Sequence, residues 1–121
     1  MDRNEWKNRI EAACKDAGTY RPFFDSVIDT LSAIMETRDR AQIAFDVSGG
    51  VTTVEHTNKG GATNIVKNPA LVVLMDCNAQ ALAYWRDLGL TPAGYKRLNA
   101  DVVKLESSGS LEGLLEKMLG E

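Results

Sequence analysis

"IVKNPALVVLMDCNAQALAYWRDLGLTPAGYKRL", Ile65 to Leu98, holds two helix starts and one stop. Asn68-Pro69 is the first start: the asparagine side chain can accept free N–H groups, and proline loses nothing at a first helical position. Thr91-Pro92 repeats the device, and Gly89 between Leu88 and Leu90 is the stop. The stretch predicts a helix from Asn68 to about Leu88, a tight Leu-Gly-Leu turn, and a short helix from Ala93 to Leu98, extendable to Val103. Along the long helix Leu71, Leu74, Met75, Leu82, Trp85 and Leu88 make one stripe. Val72, Val73, Ala79 and Ala83 make the other face apolar too. A helix apolar nearly all round is covered on more than one side. The second cover is either the rest of a monomer's core or another copy of the chain.

Upstream, Asp2 and Glu5 match a capping box opening a helix from Arg3 to Ala17, with Trp6, Ile10, Ala13 and Cys14 on one stripe and Gly18 as the stop. Pro22 suits the first turn of a second helix. Phe23, Phe24, Val27, Ile28, Leu31, Ile34 and Met35 carry its apolar pattern, which persists more weakly to Phe45 and ends at Ser48-Gly49-Gly50. The helix is either continuous or broken near the polar Thr37–Arg40. Then the period changes. Val51–Thr57 is β-branched, Asn58-Lys59-Gly60-Gly61 is a turn, and Ala62–Val66 can return as a strand, so residues 51–66 read as a β-hairpin with a four-residue loop. Two strands alone are marginal in water and need a partner. Downstream, Ser107–Ser110 is a flexible joint. Leu111, Leu114, Leu115, Met118 and Leu119 then recur at helical spacing, with Ser110 as a cap. The expected fold is mainly α: a helical hairpin or bundle with an inserted β-hairpin and a short C-terminal helix. Residues 1–106 form one domain, and 107–121 an acidic helical segment.

At 121 residues, 44% hydrophobic and 26% charged, the chain fits one globular domain that oligomerisation would help to stabilise. No apolar run reaches the roughly 20 residues of a membrane span, and the polar start MDRNEWKNRI is no signal peptide, so the cytosol is the expected compartment. Cys14 and Cys77 are far apart, and with the single His56 they make no convincing metal site, so both are expected as free core cysteines. The net charge of −3 is unevenly spread: residues 1–57 carry −3, residues 58–104 carry +3, and residues 105–121 carry −3. A positive middle can focus phosphate binding locally, or be part of a mixed solvated surface.

No catalytic constellation emerges. A GxxxxGK[ST] phosphate loop is absent, and Gly60-Gly61 is a turn. Glu55 and His56 are adjacent strand residues and point to opposite faces. Asp25 and Asp29 read as a solvated helix face. No cofactor or metal is expected. The strongest binding pattern is helix, tight turn, short basic helix, the general shape of a helix-turn-helix. Lys96, Arg97 and the Tyr95 hydroxyl can meet phosphates. Arg86, Lys104, Lys59 and Lys67 complete the candidate nucleic-acid-binding set.

The segments VKNPALVVL and ALAYWRDLGLTPAGYKRL resemble the P27 family of phage terminase small subunits. The shared elements are a hairpin, the Lys67–Ala70 helix start and the Leu88–Pro92 turn followed by a basic residue. AGTYRPFFDSVIDTLSAIM fits the family's helical N-terminal half, so the resemblance spans roughly residues 18–98. One departure stands out. The family often carries Ser-Arg after the Thr-Pro turn, where this chain has Ala93-Gly94-Tyr95 before its basic pair.

The resemblance implies a non-enzymatic component that binds double-stranded viral DNA in the host bacterial cytoplasm. It implies assembly as a ring of about eight to ten copies. It also implies recruitment or regulation of a large subunit holding the ATPase and nuclease. Pairing of neighbouring hairpins would then supply the missing partner, with Val54, Ile65, Leu71, Val72, Leu74, Met75 and Leu82 as interface candidates. Ser110–Glu121 is the candidate dock for the large subunit, or else packs on its own subunit. Two other classes are open: a dimeric helix-turn-helix transcription regulator, and an interaction scaffold that never touches nucleic acid.

Overall fold

The computed structural model describes residues 1–100. Helix α1 spans Arg3–Ala17, a 3₁₀ turn spans Pro22–Phe24, and α2 spans Asp25–Val47. Strands β1, Thr53–Thr57, and β2, Thr63–Lys67, pair antiparallel, and α3 spans Pro69–Asp87. A further helix, α4, occupies 92–100 as far as the description runs. The expected extension to Val103, Lys104 and the 107–121 segment lie outside the described residues.

Local chemistry accounts for the ends. The Asp2 side chain accepts the Glu5 N–H at 2.8 Å, and Gly18, at φ 73°, closes α1 by donating to Cys14 and Lys15 carbonyls. Of the expected capping box the Asp2 half forms, and Glu36 of α2 accepts a different first-turn donor, the Arg3 N–H, at 2.7 Å. Helix α2 runs unbroken through Thr37–Arg40. The Thr37 hydroxyl bonds back to the Ala33 carbonyl, and Arg40 pairs with Glu36 one turn earlier.

The hairpin is shifted from its expected bounds. Its loop is residues 58–62, closed by Asn58 N–H to the Ala62 carbonyl, with the Asn58 side chain accepting from Gly60 and Ala62. Val51 and Thr52 are left out of β1 because their carbonyls serve Asn68. The Asn68 N–H bonds to Thr52 O at 2.9 Å, and its Nδ2 donates to Val51 O and to Ser48 Oγ, both at 2.9 Å. Its Oδ1 meanwhile caps α3 at the Ala70 N–H. One buried asparagine therefore ties the end of α2, the entry to the hairpin and the start of α3.

The core lies where α1 crosses α2 and the far half of α3. Trp6, Ile10 and Cys14 meet Ile28, Leu31 and Met35, with Ala81 and Leu88 from α3. Asp39 links the helices on one side: it accepts from Trp6 Nε1 at 2.7 Å and from Arg38, whose Nε donates to Asn78 of α3. The buried stripe of α3 differs from expectation. It is Leu74, Cys77, Ala81 and Leu88, with Leu71, Tyr84 and Trp85 half-buried. Met75 and Leu82 face out, 62% and 51% exposed. Each helical residue turns the side chain by about 100°, so Met75 cannot share Leu74's direction. Both cysteines are free and buried, as expected, and burial pushes both thiols up.

Candidate nucleic-acid interface

The turn between α3 and α4 is built for close approach. Gly89, at φ 74°, breaks α3, and a side chain there would strike Thr19 and Leu98. Thr91 caps α4: its hydroxyl accepts the Gly94 N–H at 3.0 Å and its carbonyl the Tyr95 N–H at 2.8 Å. Gly94 lies against the backbone of Arg86, and a Cβ there would fall 2.9 Å from the Arg86 carbonyl carbon, inside contact distance. This gives the Ala93-Gly94-Tyr95 departure a physical reason. A larger residue at position 94 would push α4 off α3.

That contact seats the first turn of α4 on the end of α3, and Arg86, Tyr95, Lys96 and Arg97 are all exposed around this corner. Gly94 is buried and Leu98 half-buried, so α4 turns those two inward. Tyr95, Lys96 and Arg97 are consecutive and fan across roughly 200° of its outer surface. Asp87, beside Arg86, is an exposed acidic residue of the same corner. Beside it, an open groove of about 420 Å³ runs between the end of α1 and the start of α4. Ala17, Gly89, Leu90, Thr91, Pro92 and Tyr95 line it.

The other candidate cations are elsewhere. Lys59 sits in the hairpin loop and Lys67 at the end of β2, both exposed. Nearly the whole of α3, roughly 26 Å, separates Lys67 from Arg86. Among the described residues the candidate cations therefore fall at two positions, one at each end of α3. Lys104 lies outside the described residues.

The interface candidates also divide. Leu74 is buried within its own chain, and Leu71 and Val54 are half-buried. Val72, Met75 and Leu82 are exposed, at 39%, 62% and 51%. With exposed Ala79 between them they are spaced 3, 4 and 3 residues apart, the spacing of a coiled-coil seam, and Arg86 continues the series. Sequence reasoning treated this face as broadly apolar and missed that it separates cleanly from the core stripe. Ile65 is 75% exposed. Val54 pairs with Val66 and Ile65 with Glu55, so Val54 and Ile65 point to opposite faces of the hairpin.

The remaining polar residues are engaged in ordinary ways. Tyr20 donates to Asp25 at 3.0 Å, which holds its hydroxyl proton and pushes its pKa up to about 12. Asp29 pairs with Lys7, and His56 faces Asn64 across the hairpin. Among the described residues no group of three or more His, Cys, Asp or Glu could hold a metal ion. No described helix is long and apolar enough to cross a membrane.

A mainly helical chain with a hairpin between its two longest described helices, and a capped helix restart with exposed basic residues, defines a class of small, mainly helical proteins. The family profile described as phage terminase, small subunit, matches residues 3–103, and the chain belongs to that family. Its role is accordingly in phage DNA packaging. Family members are generally non-catalytic, and DNA and a large subunit are the partners that membership implies. No curated protein and no solved structure matches the chain.

Proposed function

We propose that this chain is a DNA-binding terminase small subunit of the P27 branch. It binds double-stranded viral DNA through the α3–α4 corner and recruits or regulates a large subunit carrying the ATPase and nuclease. It works in the host bacterial cytoplasm as a ring of about eight to ten copies. The observation that carries DNA binding is the exposure of Arg86, Tyr95, Lys96 and Arg97 around the capped restart of the helical chain. Three cations make a weak site in one copy. Repeated around a ring, their phosphate contacts add, and linkage makes the later contacts intramolecular. Lys59 and Lys67 contribute from the hairpin end.

Assembly is supported by the exposed seam Val72, Met75, Ala79 and Leu82, and by the hairpin, whose strands pair only with each other among the described residues. Burying side chains of the size of Val72, Met75 and Leu82 is worth about 1.5–3 kcal/mol each. The acidic segment Ser110–Glu121 is the candidate dock for the large subunit, or else packs on its own subunit.

Two measurements test the reading. Anisotropy of labelled phage DNA should show binding that weakens at least tenfold for Lys96→Ala/Arg97→Ala, with unchanged circular dichroism. Light scattering after size exclusion should give a closed particle of many copies. DNA affinity unaffected by the double change would remove the corner from the proposal. A particle of two copies would favour the transcription regulator.

A further inference from the structure

The α3–α4 corner presents two features side by side: the apolar groove and a positive charge excess. Arg86, Lys96 and Arg97 stand against Asp87, and the last turn of α1 adds one charge of each sign, Lys15 and Asp16. Residues 105–121 carry the complement of both. Leu111, Leu114, Leu115, Met118 and Leu119 recur at helical spacing, and Glu106, Glu112, Glu116 and Glu121 stand against Lys117, for −3. Residue 100 lies on α4, whose own first turn lines the groove. Helix α4 is roughly 13 Å long, while the eleven residues from there to Leu111 span up to about 36 Å when extended. The segment therefore reaches the groove without strain.

We infer that Ser110–Glu121 docks on the α3–α4 corner of its own subunit, leucines in the groove and glutamates toward Arg86 and Lys96. There it competes with DNA phosphate for the same cations. The docking stands on groove, charge and reach. The competition rests on the DNA reading above. A tether this short holds the segment at an effective concentration on the order of millimolar, so a weak contact suffices for occupancy. Phosphate contacts made by many copies at once displace it.

The test uses the full chain. Zero-length carbodiimide coupling joins a lysine to a carboxylate in direct contact, and mass spectrometry locates the bond. The expected products join Lys96 to Glu112 or Glu116. In a mixture of heavy- and light-isotope protein, these bonds should fall within one chain. In parallel, Leu114→Ser/Leu115→Ser, which removes the apolar anchor without changing charge, should tighten DNA binding about fivefold and abolish the Lys96 bonds. Coupling of the segment's glutamates to other lysines only, or between heavy and light chains only, would overturn docking on the own subunit. DNA affinity unchanged by the leucine pair would overturn the competition. If neither protein binds DNA, the DNA reading fails, while the coupling pattern still decides the docking.

Discussion

At the scale of single residues, Asn68 has the widest reach. Its side chain caps α3 and donates to Ser48 and Val51 while 3% exposed. Asn68→Ala removes a cap and two further hydrogen bonds, leaving Val51 O short of a donor. Urea unfolding is expected to show a loss of about 2–3 kcal/mol. Asp39 makes a pH-dependent contribution. Burial pushes its carboxyl up, but hydrogen bonds from Trp6, the N-terminal ammonium and Arg38 outweigh that and hold it below the ordinary 3.8. The native state thus binds this proton less tightly than the unfolded state. Its stabilisation is present above the ordinary value and is lost as pH falls through the lowered one. Melting temperatures taken from neutral pH to about pH 2 should fall less steeply for Asp39→Asn than for the parent chain, from a lower starting point. Gly94→Ala should destabilise α4 against α3 and weaken DNA binding. An anisotropy titration matching the parent chain would show that the close approach of the two helices is irrelevant to the site.

The elements were legible in the sequence to different degrees. Caps and stops are local, so Asp2, Gly18, Asn68-Pro69, Gly89 and Thr91-Pro92 mark helix ends close to where the structure has them. The hairpin's existence was readable from β-branched residues and its Asn-Lys-Gly-Gly turn. Its exact start was not, because Val51 and Thr52 are claimed by Asn68 sixteen residues or more away. The face of α3 that enters the core was half legible. Hydrophobicity marks Met75 and Leu82 as strongly as Leu74, but close packing on α2 selects the smaller Cys77 and Ala81. The candidate site shows the same limit: the Lys96-Arg97 pair was visible, while the role of Gly94 in seating it appears only once α3 and α4 are in contact. The outward seam of α3 has its own test. Met75→Glu/Leu82→Glu places charges on a face the core does not use. Helix content by circular dichroism should stay constant while the particle mass by light scattering falls to one or two copies. An unchanged mass would move the interface to another face.

For the whole molecule, charge is the organising quantity. A chain of net −3 binds a polyanion only if its cations are presented together, so DNA affinity should depend steeply on salt. Each phosphate neutralised adds about 0.9 to the slope of log affinity against log salt. Lys96→Ala/Arg97→Ala should flatten that slope, whereas a loss of affinity at constant slope would assign the pair a structural role. The hairpin carries a consequence of another kind. Among the described residues its two strands pair only with each other, so each presents one outer edge there, and the two edges differ in sequence. If β1 of one copy joined β2 of the next, the contact would be head-to-tail, and such a contact does not by itself stop growing. The rotation per step decides whether the chain of subunits meets its own beginning or runs on as a helical fibre. The set of the hairpin on its helices, fixed in part by the Asn68 hydrogen bonds, would then govern closure as well as stability.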